Sequence, residues 1–181
     1  FAARLWWMLR WIGHASVAVL DGGWSAWSDL GHPTAPGVTD WASAAAYPVA
    51  PNPSMTVDAA AVSAARTDPA VALLDARAAG RYRGENETTD PVAGHIPGAV
   101  SLPFSDNLDD NKRLRPTAAL RERFNAALSD RDPAKAIAYC GSGVTACHNI
   151  WAMTCAGLAA PRLYPGSWSE WITDPRRPRT P

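Results

Sequence analysis

The segment AIAYCGSGVTACHNIWAMTCAG, residues 136–157, joins two apolar runs through a short glycine-rich loop. The first run predicts a buried strand over 136–139, and the second predicts a helix over about 145–156 that ends at Gly157. A strand that leads through a short loop into a helix is typical of α/β proteins with a parallel sheet. Ligands of such sheets bind beyond the carboxyl ends of the strands, which is where Cys140 lies.

The same alternation of strands and helices continues on both sides of that segment. The apolar pattern predicts helices over 57–66 and 118–128 and strands over 71–74 and 162–164. Thr56 and Thr117 are the predicted N-caps of the two helices. The second helix has one apolar face, formed by Leu120, Phe124 and Leu128. We therefore predict an α/β fold in which helices flank a parallel sheet.

The beginning of the chain is similar to its end. At a constant offset, Trp7 aligns with Trp151, and GGWSAW at 22–27 aligns with GSWSEW at 166–171. Tryptophan and glycine rarely align by chance, so we interpret the match as an internal duplication. We expect residues 1–31 to be the C-terminal remnant of a first domain whose body lies upstream. Residues 32–53, which are rich in proline, would be a linker, and 54–181 would be the complete second domain.

Composition excludes several classes of protein. Seventeen basic residues balance seventeen acidic ones, so the basic excess that binds nucleic acid is missing, and we expect no such partner. No apolar run approaches the about 20 residues of a membrane helix. Three cysteines form no disulfide framework, which favours the reducing cytoplasm. The histidines and cysteines lack zinc-ligand spacing, so we predict no metal, and no motif indicates a cofactor.

Cys140 is the strongest candidate for chemistry. It follows a predicted strand and precedes the loop of Gly141, Ser142 and Gly143 and then a helix N-terminus. Backbone N–H groups in such a loop, and the positive end of the helix dipole, stabilise an anion at the sulfur. The alternative is a buried structural cysteine, but the flanking glycines would then have no packing purpose.

Two enzyme classes use a nucleophilic cysteine in this setting. Cys-loop phosphatases need an arginine at the start of the helix to clamp the phosphate oxygens, and here that position is Ala146. Phosphatase activity is therefore disfavoured. Sulfur transfer needs less, because a terminal persulfide carries one negative charge that backbone N–H groups can hold.

Four motifs in the order found here resemble those of two-domain rhodanese sulfurtransferases. They are DARAAGRYRGE at 75–85, AGHIPGA at 93–99, YCGSGVTA at 139–146 and YPGSWSEW at 164–171. The resemblance implies tandem rhodanese domains, the first inactive and here truncated, the second carrying a persulfide on Cys140. Within the family, the uncharged loop is typical of 3-mercaptopyruvate sulfurtransferases, whereas thiosulfate enzymes usually have cationic loop residues.

The resemblance also implies roles for individual residues. Cys140 would take the sulfane sulfur, and Ser142 would join a proton relay with first-domain residues. Arg81 would hold the substrate carboxylate, with Arg83 as second choice. The second arginine of the family is not found, since residues 85–93 read ENETTDPVA. The remaining predicted substrate-binding residues are those of the loop: Gly141, Gly143, Val144 and Thr145.

The sequence thus predicts a sulfurtransferase that moves sulfur from 3-mercaptopyruvate or thiosulfate through Cys140. The expected partners are that small anionic donor, an acceptor such as thioredoxin, a low-molecular-weight thiol or cyanide, and the missing half of the first domain. A different class stays open, namely a catalytically silent rhodanese-like module that holds an anion or a partner.

Overall fold

A parallel sheet of four short strands forms the centre of the molecule. The computed structural model describes residues 1–38, 45–85 and 87–181. The strands are β1 (Leu73–Asp75), β2 (Ala99–Ser101), β3 (Ile137–Tyr139) and β4 (Arg162–Leu163). Their order across the sheet is β2-β1-β3-β4, and every pairing is parallel. The predicted α/β fold with a parallel sheet is therefore confirmed.

Seven helices surround this sheet in the part of the chain that the structure describes. They are α1 (Ala2–Trp11), α2 (Gly23–Asp29), α3 (Ala59–Ala65), α4 (Ala79–Tyr82), α5 (Thr117–Leu128), α6 (Ala146–Cys155) and α7 (Ser167–Trp171). Short 3₁₀ turns occupy Pro53–Met55, Phe104–Asn107 and Pro133–Lys135. Within the described residues, no helix has the length and apolar character needed to cross a membrane.

Both faces of the sheet are buried, as is usual for parallel strands. Successive residues of β1 point to opposite faces, so Leu73 and Leu74 belong to different core clusters. Leu73 packs in the cluster that contains Trp168 and Trp171 of α7, whereas Leu74 packs with Phe124 of α5. The central strands β1 and β3 therefore lie between two apolar layers, and their carboxyl ends are held in fixed positions.

Two predicted helix caps are wrong. Asp58 rather than Thr56 caps α3, because its carboxylate accepts a hydrogen bond of 2.8 Å from the Ala61 N–H. Thr117 is the first residue of α5 itself, and Pro116 precedes it without a side-chain cap. The predicted apolar face of α5 is confirmed, since Leu120, Phe124 and Leu128 are all buried.

The first helix, α1, belongs to the same core as α6, the helix that follows Cys140. Trp6 and Trp7 of α1 are buried in one cluster with Ile150 and Trp151 of α6. The two helices begin and end at positions that align at the offset found in the sequence, and Gly13 and Gly157 follow them with φ of 93° and 74°. The segment we assigned to a first domain therefore packs directly on α6.

His148 links α6 to its surroundings and gives the fold a pH dependence. Its ring lies 5.5 Å from the ring of Phe104 and 5.3 Å from that of Trp151. Burial, together with nearby positive charge that includes Arg123, lowers the pKa of His148 to about 4. The pKa of a histidine in the unfolded chain is about 6.5. Between that pH and about pH 4 the unfolded chain therefore binds a proton that the native chain does not bind, and this favours unfolding.

We expect the free energy of unfolding to fall by about 2 kcal/mol from pH 7.5 to pH 5 because of His148 alone. Urea denaturation across this range measures the loss in the wild type. A His148→Gln variant lacks the titrating ring, so its free energy of unfolding should fall by about 2 kcal/mol less over the same pH range. Equal slopes in the two proteins would assign the pH dependence to other groups.

Candidate active site

Cys140 is the first residue after β3, and the backbone holds it from both sides. Its N–H donates to Oγ of Ser167 at 3.1 Å, and its carbonyl accepts from the N–H of Trp168 at 3.0 Å. Ser167 in turn donates to the carbonyl of Tyr164 at 2.9 Å. Cys140 is 1% exposed. The start of α7 therefore fixes the position of the cysteine at the end of the sheet.

The carbonyl groups of the following loop are also held by hydrogen bonds. The Gly141 carbonyl accepts from the N–H of Ser169 at 2.9 Å, and Oγ of Ser169 lies 2.8 Å from the same carbonyl oxygen. The Gly143 carbonyl accepts from Nη1 of Arg4 at 3.0 Å and from Sγ of Cys147 at 3.3 Å. These contacts come from α7, α1 and α6, so three helices fix the course of the loop.

The N–H groups of the loop remain available. Those of Gly141, Ser142, Gly143, Val144 and Thr145 donate to no acceptor among the described residues. The loop runs directly into the N-terminus of α6, whose dipole adds positive potential. An array of N–H groups at a helix N-terminus binds anions. The loop can therefore stabilise a thiolate or persulfide on Cys140.

Gly143 is required by this backbone conformation. Its φ is 73°, and a Cβ added there would lie 2.5 Å from the carbonyl oxygen of Pro165. Both the left-handed conformation and the contact with the backbone exclude a side chain. Pro165, which follows β4, thus packs so closely against Gly143 that there is no space for the methyl group of an alanine.

Arg81 lies beside the loop. A Cβ added to Gly141 would be 3.4 Å from Nη1 of Arg81. The other side of the guanidinium is occupied: Nε donates to Glu87 at 3.0 Å, and Nη2 donates to Asp90 at 3.0 Å. The Arg81 side chain is 23% exposed, whereas those of Glu87 and Asp90 are 3% and 7% exposed. The predicted substrate-binding arginine is therefore brought to the loop together with two carboxylates.

The two carboxylates are connected to the loop and to each other through Arg81. Oδ1 of Asp90 accepts from Oγ of Ser169 at 2.7 Å, and the same Oγ lies 2.8 Å from the Gly141 carbonyl. Burial acts to raise the pKa of Glu87, but hydrogen bonds from Arg81 and from the N–H groups of Asp90 and Thr89 outweigh it and lower that pKa. Glu87 is therefore ionised at neutral pH.

A second buried ion pair, between Arg77 and Asp75, lies next to Glu87. Arg77 donates through Nη2 to Asp75 at 2.7 Å and to the Gly94 carbonyl at 2.8 Å, and its guanidinium lies 4.9 Å from the centre of the Trp168 ring. Nη1 of Arg77 is 3.6 Å from Glu87. The pair therefore connects the end of β1 to α7.

The other predicted site residues are placed differently. Ser142 is exposed, and Val144 and Thr145 are half-buried in the loop. Arg83 is on the surface, where Nε donates to Glu85 at 2.7 Å and the side chain is 56% exposed. No contact between Arg83 and the loop appears among the described residues, so its role stays a prediction. Neither of the two described clefts is lined by Cys140 or its loop.

Sequence reasoning missed four residues that hold the site: Arg4, Glu87, Asp90 and Ser169. The signal for two of them was present, because the segment 85–93 contains acids where the family's second arginine was expected. Cys147, which is buried, also contacts the loop through the Gly143 carbonyl. Burial raises its pKa to about 11 although Arg4 opposes the shift, so its sulfur stays a neutral thiol. Among the described residues, no group of three or more acidic, histidine or cysteine side chains is arranged to bind a metal.

Comparison with known proteins gives the family. Residues 58–174 match the sequence model of the Rhodanese-like domain. Since this match covers more than half of the chain, the protein belongs to the rhodanese-like family. The resemblance carried by the four motifs is therefore confirmed.

The chain is similar to several sulfurtransferases of that family. It is 51% identical over 179 residues to a "Probable 3-mercaptopyruvate sulfurtransferase" of Pseudomonas aeruginosa, covering 98% of this chain and 63% of that protein. It is 38% identical over 187 residues to a "Putative thiosulfate sulfurtransferase" of Mycobacterium tuberculosis, covering 98% and 62%. The solved structure of "3-mercaptopyruvate sulfurtransferase from Leishmania major" superposes with a TM-score of 0.80 at 32% identity, over 94% of this chain and 47% of that one. The chain thus spans about half to two thirds of the length of these relatives.

We expect Gly143→Ala to lower the free energy of unfolding by about 3 kcal/mol, because it combines a left-handed backbone with a contact against Pro165. Gly31→Ala is the matched control, since Gly31 has a φ of 70° but no atom within 4 Å of an added Cβ. It should lose only about 1 kcal/mol. Chemical denaturation measures both, and equal losses would show that the Pro165 contact has no cost.

Proposed function

We propose that this chain is the sulfur-transferring part of a two-domain sulfurtransferase and carries a persulfide on Cys140. The observation that supports this most strongly is the loop after Cys140. Its Gly141 and Gly143 carbonyls are held by α7, α6 and Arg4, while its N–H groups are left for an anion. The sulfurtransferase activities named for the relatives agree with this chemistry.

The first half-reaction loads the cysteine. The Cys140 thiolate attacks the sulfur of 3-mercaptopyruvate, the carbon–sulfur bond breaks with its electron pair on carbon, and the resulting enolate takes up the thiol proton. The products are the Cys140 persulfide and pyruvate. Ser142, exposed beside the cysteine, is the loop hydroxyl that would relay this proton. The backbone N–H groups stabilise the persulfide anion as it forms.

The second half-reaction empties the cysteine. An acceptor nucleophile, such as cyanide or the thiolate of thioredoxin or of a small thiol, attacks the terminal sulfur and breaks the sulfur–sulfur bond. Cys140 leaves as a thiolate, and thiocyanate or a new persulfide is released. All three cysteines are free, as a thiol-based cycle in a reducing compartment such as the cytoplasm would require.

Among donors we propose 3-mercaptopyruvate ahead of thiosulfate. The loop residues Gly141, Ser142, Gly143, Val144 and Thr145 carry no charge. Two cations lie beside them, Arg81 next to Gly141 and Arg4, which is bound to the Gly143 carbonyl. A monocarboxylate can be held by Arg81 and the N–H groups, whereas a dianion would need more positive charge. Arg83 would meet the donor only if it left Glu85.

We further propose the domain organisation that the duplication suggests. Residues 1–31 end a first, inactive rhodanese domain, 32–53 form the linker and 54–181 form the catalytic domain. The equivalent bounds of α1 and α6 support this proposal, as does the larger size of the relatives. The rest of the first domain would then be the partner that completes the site.

We expect Cys140→Ala to abolish cyanide-dependent thiocyanate release from 3-mercaptopyruvate and thiosulfate in the full-length protein. Cys155→Ala, which removes the exposed cysteine at the end of α6, is the control and should keep full activity. Mass spectrometry after incubation with donor should find one extra sulfur atom on the Cys140 peptide. An unmodified peptide and no release with either donor would instead favour a silent binding module.

A second expected outcome concerns Arg4. Arg4→Met keeps the apolar stem on α1 but removes the hydrogen bond to the Gly143 carbonyl, so the loop loses one of its fixed points. A charge-assisted hydrogen bond is worth about 1.5–3 kcal/mol, and kcat/KM should fall about tenfold for every donor. The control is Arg10→Met on the same helix, where Arg10 stacks on Trp6. Unchanged kinetics in Arg4→Met would show that the loop holds its course without α1.

A further inference from the structure

We infer that Glu87 and Asp90 act as a charge filter on Arg81, which makes the site favour monoanionic sulfur donors and exclude dianionic ones. The inference rests on the proposed function and deepens it, because it assigns donor selectivity to two residues outside the Cys140 loop. Both act through Arg81, and neither needs to touch the donor.

The geometry of Arg81 limits what it can offer to a donor. Nε and Nη2 are both used, since they donate to Glu87 and Asp90 at 3.0 Å each, and Nη2 also lies 2.8 Å from Oε1 of Glu87. Nη1 faces Gly141, and no described residue accepts a hydrogen bond from it. An incoming anion therefore meets one nitrogen of Arg81 and not the two-pronged edge that binds carboxylate or sulfonate groups most strongly.

The charge around Arg81 is negative in sum. Arg81 and Arg77 contribute two positive charges, whereas Asp75, Glu87 and Asp90 contribute three negative ones, all within a connected set of ion pairs. Asp75, Glu87 and Asp90 are almost fully buried, so salt and water screen them less than surface groups. A donor at the loop therefore gains one hydrogen bond from Arg81 while it is repelled by a net negative cluster.

Repulsion grows with the charge of the donor, and this gives a quantitative expectation. The Coulomb energy is proportional to the product of the charges, so a dianion at the same position loses twice the energy of a monoanion. When one carboxylate of the cluster is neutralised, the fold-gain in kcat/KM for a dianion should be the square of the gain for a monoanion. A residue that only positions Arg81 would change both donors by the same factor.

Two donors with the same chemistry separate charge from reactivity. Thiosulfate is a dianion that releases sulfite, and methanethiosulfonate is a monoanion that releases methanesulfinate. In both, the Cys140 thiolate attacks the outer sulfur, the sulfur–sulfur bond breaks, and its electron pair leaves with the sulfinate or sulfite. 3-Mercaptopyruvate serves as a second monoanion with a different leaving group.

The test compares kcat/KM for these three donors in the full-length wild type, Glu87→Gln and Asp90→Asn. We expect about a threefold gain for each monoanion and therefore about a tenfold gain for thiosulfate. Both substitutions keep the size of the side chain and remove its charge. Each replaces one acceptor oxygen by an NH₂ donor, which Oγ of Ser169 can accept in Asp90→Asn. Glu122→Gln removes an exposed carboxylate from α5 and is the control; it should leave the thiosulfate to methanethiosulfonate ratio unchanged.

Ionic strength provides a measurement that needs no variant. In the wild type, added salt should raise the thiosulfate to methanethiosulfonate ratio, because screening relieves the dianion more than the monoanion. The rise should be smaller than the rise that either substitution causes, because the carboxylates are buried and salt screens them only weakly. A ratio that stays constant with salt and in both variants would overturn the charge filter, as would equal losses for all donors. A wild type that transfers sulfur from none of the three would overturn the proposed function itself, and the filter with it.

Discussion

The direction of five peptide groups after Cys140 is the constraint on which the rest of the structure depends. If the carbonyls of Gly141 and Gly143 turned inward, they would repel a negative sulfur instead of stabilising it. Ser169 holds the first carbonyl outward, and Arg4 with Cys147 holds the second. The parallel sheet fixes where the loop starts, and α6 fixes where it ends. Backbone N–H groups are thus the groups that can bind an anion here, and the side chains of Arg4, Cys147 and Ser169 fix the orientation of the peptide groups.

This constraint explains which features the sequence alone predicts. Cys140, its glycine loop and the following helix are contiguous, so their order in the chain already gives their arrangement. Arg81 was found through the resemblance of its motif. The contacts of Arg4, Asp90 and Ser169 were not predicted, because they join parts of the chain that are far apart in sequence and have no local pattern. The N-cap at Asp58 was missed because Thr56 is also a common capping residue, and the position of the first helical turn decides between them.

The core contacts of α1 cross the domain boundary that the sequence suggests after residue 31. The domain division that we propose separates residues 1–31 from the segment of Cys140, yet Trp6 and Trp7 lie in one core cluster with Trp151. Arg4, on the same helix, reaches the Gly143 carbonyl. The first helix and the loop after Cys140 are therefore packed against each other, although the proposed division of the chain separates them. Removing residues 1–31 would therefore remove the buried side chains of Trp6 and Trp7 and the hydrogen bond from Arg4 to the Gly143 carbonyl.

The protonation state of the Cys147 thiol affects the lifetime of the persulfide that we propose on Cys140. This thiol lies near Cys140 but donates its proton to the Gly143 carbonyl, and burial raises its pKa to about 11. A persulfide decays fastest when a neighbouring thiolate attacks it, with loss of hydrosulfide and closure of a disulfide. Because Cys147 stays protonated, that internal route is slow. If Cys140 carries the persulfide that we propose, its outer sulfur would therefore leave when an outside acceptor attacks, because attack from within the protein is slow.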